Sequence, residues 1–324
     1  MISVVNDRSL FRGCTSVPER SAVPTLLIAG VQKGGTSSLK ILLAQQKMQA
    51  ARTGELNFFN HPCFANRSVQ KKELENYRHE WTRNNLTFDK SPATFSQPWI
   101  PMRVCQTLRT TILILLRHPV ERGWSGFFYC QQARQFNPKP YFGGNRSEDV
   151  FHRFSLLDIE IARRCPARGS GIQFSACCAR VAADHGVRLP WPGCFSTPAC
   201  TQALVPPHRR LQIHLGGAYG QWCYTHVREG IYVWKMREWL KYHESVLVAK
   251  SEDFFENESE FVSELMTTLG STVNLSGRAH AKAATAVGAH AHTMREDTRD
   301  ILLSFYAPYN EELERLIGRK LNWN

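Results

Sequence analysis

Short, unbroken apolar runs recur along the chain and alternate with stretches of helical periodicity. The strongest apolar runs predict strands at 25–29, 110–116 and 246–249. Helical spacing predicts helices at 37–46, from near Val120, and at 230–242, 258–269 and 295–317, the last interrupted at Pro308. Fully apolar strands that alternate with helices are typical of a parallel sheet covered on both faces. We therefore predict an α/β protein with three layers and a central parallel sheet.

Two segments interrupt this alternation. Residues 1–21 are polar and irregular, and we predict a flexible lead there, before a domain that spans 22–324. The stretch 131–228 is rich in Pro, Gly, Cys and His and has little clean periodicity. We interpret this stretch as a Cys-rich insertion in one domain rather than as an independent domain.

The composition narrows the classes of partner. The 324 residues include 40 Lys and Arg against 28 Asp and Glu, a formal net charge of +12. This excess predicts an anionic partner, but nucleic acid, membrane, nucleotide and acidic polysaccharide all qualify. Hydrophobic residues make up 43% of the chain, which excludes wholesale disorder. No apolar run near the start is long enough for a membrane span, so the chain is either cytosolic or lacks its targeting segment in this sequence.

Sequons and cysteines favour the second alternative, a secretory protein. Five N-x-Ser/Thr sequons occur, where chance predicts about two; they begin at Asn66, Asn85, Asn145, Asn257 and Asn274. Six of the ten cysteines lie between 165 and 223 without a C-x-x-C pair. This spacing disfavours a zinc site and favours disulfides in an oxidising compartment. Ordinary buried thiols are the alternative.

A glycine-rich turn joins the first strand to the first helix. Residues 30–37, the glycine loop, read Gly-Val-Gln-Lys-Gly-Gly-Thr-Ser. Glycines let the backbone approach phosphate oxygens, and the start of a helix adds N–H donors and positive potential. Lys33 adds a full charge, and Thr36 and Ser37 add hydroxyls. The loop is not a Walker A motif, because Thr36 stands where that motif has its lysine.

A second cluster follows the second strand. Arg117 ends that strand, at the edge where ligands bind in open parallel sheets, and Ser125 lies about two helical turns further on. Arg117 stands at the strand end where P-loop nucleotide hydrolases have a magnesium-binding acidic residue. This arginine predicts an anion that side chains bind without a metal ion. A structural ion pair is the alternative for Arg117.

Taken in order, these segments resemble the sulfotransferases that use 3′-phosphoadenosine 5′-phosphosulfate (PAPS). The resemblance is specific to the branch that acts on carbohydrates, closest to the N-deacetylase/N-sulfotransferases and 3-O-sulfotransferases of heparan sulfate. Five segments carry it: residues 30–39, the Glu-Leu-Asn-Phe-Phe-Asn segment at 55–60, the Asp-Lys-Ser-Pro-Ala-Thr-Phe segment at 89–95, residues 115–125, and the tail at 305–323. They frame the chain from 25 to 324, whereas the stretch 131–228 is not covered.

The resemblance implies a P-loop-like fold and a role for each motif residue. Lys33, Gly34, Gly35, Thr36 and Ser37 would bind the 5′-phosphosulfate of PAPS. Arg117 and Ser125 would clamp its 3′-phosphate.

The chemistry is implied for three residues. Glu55 would be the general base that takes the acceptor's proton, Lys90 would stabilise the sulfuryl oxygens or orient the acceptor, and Lys33 would neutralise the leaving phosphate. Taken alone, Glu55 would be a solvated surface carboxylate. Tyr232 resembles a helix-start tyrosine of the family, with packing as the alternative role.

The sequence departs from the family at several positions. Asn57 and Asn60 replace a His and an Asp that bear on acceptor binding, and His118 replaces a more usual Asp. The basic loop that closes over PAPS has no Lys or Arg at 287–292, so Arg278 or Lys282 would substitute.

The leading hypothesis is a PAPS-dependent sulfotransferase of the Golgi lumen. Its acceptor would be a neutral or acidic glycan, without nucleic acid, and the membrane would be reached only through an anchor absent from this chain. A P-loop nucleotide kinase and a non-catalytic binder of sulfated glycans or nucleotides are the alternatives.

Overall fold

The chain divides into two compact units. The computed structural model describes residues 2–14, 24–52, 54–60, 74–81, 86–132, 147–165, 177, 180–184, 226–271 and 293–323. The first unit comprises residues 1–118, 232–286 and 309–323, and the second comprises 119–231, 287–308 and 324.

A six-stranded sheet organises the described part of the first unit. Its strands are β1 (Ile2–Val5), β2 (Leu26–Gly30), β3 (Gln49–Ala50), β4 (Thr87–Lys90), β5 (Thr111–Leu116) and β6 (Val246–Lys250). Their order across the sheet is β1-β6-β5-β2-β4-β3. Neighbouring strands run parallel except β1, which pairs antiparallel with β6. The predicted α/β class with a mostly parallel central sheet is confirmed.

Helices follow the strands along the chain. They are α1 (Thr36–Gln45), α2 (Ile100–Thr107), α3 (Pro119–Gln132), α4 (Ser147–Arg164), α5 (His226–Glu229), α6 (Tyr232–Tyr242), α7 (Ser251–Glu256), α8 (Glu258–Thr268) and α9 (Glu296–Ile317). Helix α9 continues through Pro308, where the sequence predicted an interruption. Among the described residues, no helix is both long enough and apolar enough to cross a membrane.

The central strands form because their side chains are apolar on both faces. All five residues of β2 are buried, as are five of the six in β5. On one face, Leu26, Ile28 and Leu113 pack with Leu39 of α1 and Phe261 of α8 in one cluster of buried residues. Burial of a large aliphatic or aromatic side chain contributes roughly 1.5–3 kcal/mol, so this layer fixes α1 and the loop before it.

The N-terminal residues differ from the prediction of a flexible lead. Residues 2–5 form strand β1 at the edge of the sheet, and Cys14 is joined to Cys105 of α2 by a disulfide. The strand was not predicted because only four residues pair and two of them are only partly buried. Edge strands carry a weak hydrophobic pattern, since one side of their backbone faces away from the sheet.

The second unit is built around aromatic side chains. Trp124, Phe127 and Phe151 pack with ring centroids 4.9–6.5 Å apart. Buried Asp158 of α4 accepts hydrogen bonds from the backbone N–H groups of Val227 and Arg228 and pairs with the Arg228 guanidinium at 2.7 Å. The carboxylate therefore anchors the start of α5.

The stretch 131–228 contains regular structure that the sequence did not predict. Helix α4 occupies 147–164, and Cys165 at its end forms a disulfide with Cys177. Cys130 is also disulfide-bonded. Asn257 is exposed at the start of α8; the asparagines of the other four sequons and the remaining cysteines of the cluster lie outside the described residues.

The Cys14–Cys105 bridge gives a first prediction. It closes a loop of 91 residues, so we expect Cys105→Ala to lower the free energy of unfolding by about 3–5 kcal/mol through the entropy of the unfolded chain. Denaturant unfolding with and without reductant measures this. The reduced wild-type protein should match the reduced variant, since reductant opens the other bridges in both proteins. Equal stability of oxidised wild type and variant, or two free thiols at these positions by peptide mapping, would contradict the bridge.

Candidate active site

The glycine loop lies at the carboxyl end of β2 and leads into α1. Helix α1 begins at Thr36, its N-cap is Gly35 with φ 89°, and no side chain caps it. The first N–H groups of a helix have no partner within the helix, so this end presents backbone donors and positive potential. No acidic residue occupies the first turn. The geometry therefore fits an anion.

Two glycines of the loop are required by their geometry, Gly34 by close packing against backbone and Gly35 by its positive φ. A Cβ on Gly34 would lie 2.6 Å from the carbonyl oxygen of Leu115, and one on Gly35 would lie 2.7 Å from the Phe255 ring. The N–H of Gly34 donates to the carbonyl of Val31 at 2.9 Å. The Gly34 N–H is therefore used within the loop, and Gly34 contributes to the loop by its missing side chain.

Ser251 and β5 hold the loop from outside. The Ser251 hydroxyl donates to the Gly34 carbonyl at 2.6 Å, and the Val31 N–H donates to the Leu115 carbonyl at 3.0 Å. Ser251 is buried at the start of α7. Ser251 is not predictable from the sequence, because a single serine after a strand has no distinctive pattern.

Two cations meet at the loop. The Arg117 guanidinium donates to the backbone carbonyl of Lys33 at 2.9 Å. Burial and the neighbouring Arg117 charge lower the pKa of Lys33 below its usual value. Tyr232, which is buried, donates its hydroxyl to the Arg117 carbonyl at 2.8 Å and so fixes the arginine backbone. Like charges held this close are stabilised by a bound anion.

The predicted catalytic residues also meet. Lys90, at the end of β4, forms an ion pair with Glu55, and its Nζ lies 3.5 Å from the Ser37 hydroxyl at the start of α1. The Lys90 side chain is 8% exposed and that of Glu55 is 27% exposed, so the carboxylate reaches solvent while the ammonium is covered. One lysine therefore connects the glycine loop with the predicted general base.

A buried carboxylate lies beside this pair. Asp89 is fully buried and accepts hydrogen bonds from Ser91 at 2.7 Å and from Tyr77 at 3.0 Å. Burial raises the pKa of Asp89 to about 6, although both hydrogen bonds favour the charged form. Burial and the adjacent carboxylate also raise the pKa of Tyr77 well above its usual value. Sequence reasoning assigned no role to Asp89, Ser91 or Tyr77.

The two family departures near Glu55 have a distinct geometry. Asn57 adopts φ 48°, a left-handed conformation that asparagine tolerates better than most residues. Among the described residues, the buried side-chain oxygens of Asn57 and Asn60 have no hydrogen-bond partner. The unpaired amide oxygens of Asn57 and Asn60 therefore belong to residues two and five positions after Glu55.

The predicted site residues thus fall into three groups. Lys33, the loop glycines, Thr36, Ser37, Glu55, Lys90 and Arg117 all belong to the first unit. Ser125 is half-buried on α3 in the second unit. Arg278, Lys282 and the loop at 287–292 lie outside the described residues.

Curated relatives match part of the sequence. The heparan sulfate glucosamine 3-O-sulfotransferase 5 proteins of Mus musculus and Homo sapiens are each 27% identical to it over 124 residues, 37% of this chain. That match spans 34% of each relative, so the chain covers about a third of their length. No family model matches the sequence.

A solved structure matches the fold. A sulfotransferase from Alicyclobacillus acidocaldarius superposes with a TM-score of 0.57 at 19% identity, over 93% of this chain and 99% of that one. The chain therefore shares the fold of a solved sulfotransferase, and over about a third of its length its sequence is similar to that of curated sulfotransferases.

Proposed function

We propose that this protein transfers a sulfuryl group from PAPS to a hydroxyl or amine of a carbohydrate acceptor. The observation that carries the proposal is the meeting of Lys90 with both Glu55 and Ser37, which joins an anion-binding loop to a base. The net charge of +12 supports an acidic acceptor such as a glycosaminoglycan.

The donor would be held by groups of opposite charge. PAPS supplies an activated sulfuryl group when bound. The start of α1, Lys33, Thr36 and Ser37 would bind its 5′-phosphosulfate, and Arg117 would bind the 3′-phosphate. The loop fits an anion, because the start of α1 presents backbone N–H donors without an acidic residue in its first turn, and because a bound anion relieves the repulsion between Lys33 and Arg117.

The transfer needs one proton acceptor. The acceptor oxygen or nitrogen gains the sulfuryl group while the sulfur–oxygen bond to the 5′-phosphate breaks, and Glu55 takes the acceptor's proton. Lys90 would hold the Glu55 carboxylate in place and stabilise charge on the sulfuryl oxygens. Lys33 would neutralise the phosphate that leaves. No metal enters this scheme.

The acceptor side differs from the family in charge. Asn57 and Asn60 offer neutral amide groups, which can bind sugar hydroxyls. A carboxylate at position 60 would repel an acidic glycan, whereas the amide of Asn60 does not. The oxygens of both amides lack a partner among the described residues, which supports a role in acceptor binding.

The disulfides support a proposal for the compartment. Bridges at Cys14–Cys105 and Cys165–Cys177, together with five sequons, favour the oxidising lumen of the secretory pathway, and we propose the Golgi lumen.

Transfer of ³⁵S from labelled PAPS to a panel of glycans tests the reaction. We expect Glu55→Gln to lower kcat by roughly 10²- to 10⁴-fold, since the isosteric amide cannot take a proton, while binding of adenosine 3′,5′-bisphosphate is unchanged. Wild-type activity in Glu55→Gln would remove Glu55 as the base. Binding of PAPS without transfer to any glycan, protein tyrosine or small alcohol would instead indicate the non-catalytic binder. Transfer of phosphate from ATP that depends on Mg²⁺ would indicate the kinase.

Lys33 gives a prediction that combines stability with binding. Below the lowered pKa of Lys33, its charge destabilises the native state, so Lys33→Met should be more stable than the wild type near neutral pH. The difference in unfolding free energy between variant and wild type should shrink as pH rises through that pKa, because Lys33 then becomes neutral in the native state. The same variant should lose most of its affinity for adenosine 3′,5′-bisphosphate.

Denaturant unfolding across pH and calorimetric titration measure both effects. Lys40→Met, on α1 beyond the loop, is the matched control and should retain binding. A Lys33→Met variant that is less stable than the wild type and binds equally well would refute the charge argument.

A further inference from the structure

Asp89 is the centre of a buried hydrogen-bond network. One carboxylate oxygen accepts from Ser91 at 2.7 Å and the other accepts from Tyr77 at 3.0 Å. Asp89 has no exposed surface, Ser91 is 1% exposed and Tyr77 is 3% exposed. Both oxygens are therefore satisfied by hydroxyl donors that water does not reach.

The network extends from Asp89 to the segment of Glu55. The Ser91 hydroxyl uses its hydrogen for Asp89, so its oxygen is left to accept, and it accepts from the Asn57 N–H at 3.0 Å. The Asn57 side chain donates in turn to the Glu55 carbonyl at 3.5 Å. Tyr77, the other donor to Asp89, stacks on Phe58 with ring centroids 4.7 Å apart. Both branches from Asp89 thus reach residues 55–58.

The segment is consequently held at two points. Successive residues of a strand point to opposite sides, so Lys90 and its neighbour Asp89 reach the segment by different routes. Lys90 holds the Glu55 carboxylate, whereas Asp89 and Ser91 hold the backbone of Asn57. The positive φ of Asn57 means that this backbone needs such a restraint.

We propose that Asp89, acting through the hydroxyls of Ser91 and Tyr77, is a positioning residue that keeps Glu55 aligned as the base. The inference rests on the proposed function for the role of Glu55. Asp89 does not touch the reacting groups, and its effect passes through the backbone of Asn57.

The ionised form of Asp89 is the one that positions the segment. Ser91 and Tyr77 both donate to it, so a protonated carboxyl would force one of these hydroxyls to turn away. The titratable groups beside Asp89 are Glu55, which disfavours its charge, Lys90, which favours it, and Tyr77. With the pKa of Asp89 raised to about 6 by burial, the restraint on Asn57 weakens as pH falls through that value.

Ser91 variants test the positioning role with a conservative rescue. Ser91→Ala should lower kcat roughly tenfold and change the KM for PAPS less than twofold, because one hydrogen bond to the Asn57 backbone is lost. Ser91→Thr keeps the hydroxyl and should restore most of kcat. The matched control is Ser155→Ala, which removes an equally buried hydroxyl from α4 in the second unit and should leave kcat unchanged.

Amide hydrogen exchange at Asn57 tests the network without turnover. Wild-type protection should fall as pH drops through about 6, whereas Ser91→Ala should show low protection at every pH. Asp89→Asn should lose the inflection near pH 6. If Asp89→Asn does not fold, the two Ser91 variants carry the test.

The outcomes separate the two proposals. Wild-type kcat and wild-type Asn57 protection in Ser91→Ala would overturn the positioning role. If Asn57 exchange follows the expected pattern but the wild-type protein transfers no sulfuryl group, the proposed function fails while the network stands.

Discussion

The hydrogen bond from Arg117 to the backbone of Lys33 brings two cations together at the carboxyl edge of the sheet. The rest of the site depends on this contact, because it joins the end of β5 to the glycine loop that follows β2. A Walker A site places a lysine after the last glycine and relies on a magnesium-binding acid. Here the Arg117 guanidinium donates a hydrogen bond to the backbone of the loop, and the side chains of Arg117 and Lys33 supply the positive charge. Such a loop suits an anion carried without a metal.

The site holds charge in places where burial opposes it. Lys33 has a lowered pKa, and Asp89 has a raised one, so at neutral pH each charged form is maintained against desolvation. Neither charge stabilises the fold. The stability comes from the apolar layer around Leu26, Leu113 and Phe261, whose side chains carry no polar group that needs a hydrogen-bond partner. Perturbed ionisable groups on a rigid apolar frame are typical of functional sites.

The sequence predicted the strands that are apolar on both faces and failed on the others. Strands β2, β5 and β6 are continuous buried runs, so periodicity alone identified them. Strand β4 buries Thr87, Asp89 and Lys90, which look like surface residues until their partners are known. The pair of Lys90 with Glu55 spans 35 positions, and only the order of the motifs made it predictable. Nothing local in the chain links Cys14 to Cys105, because a bridge across 91 residues follows from the fold.

The C-terminal tail, one of the five segments that carry the family resemblance, packs close to Arg117. Glu314 of α9 accepts hydrogen bonds from the backbone of Leu321 and Asn322 and from the Lys320 ammonium, which folds the tail back on the helix. This turn places buried Trp323 against the rings of His118 and Tyr232, with centroids 6.1 and 6.0 Å away. Tyr232 in turn donates to the carbonyl of Arg117. The C-terminal tail therefore supports the backbone of Arg117, whose guanidinium holds the glycine loop.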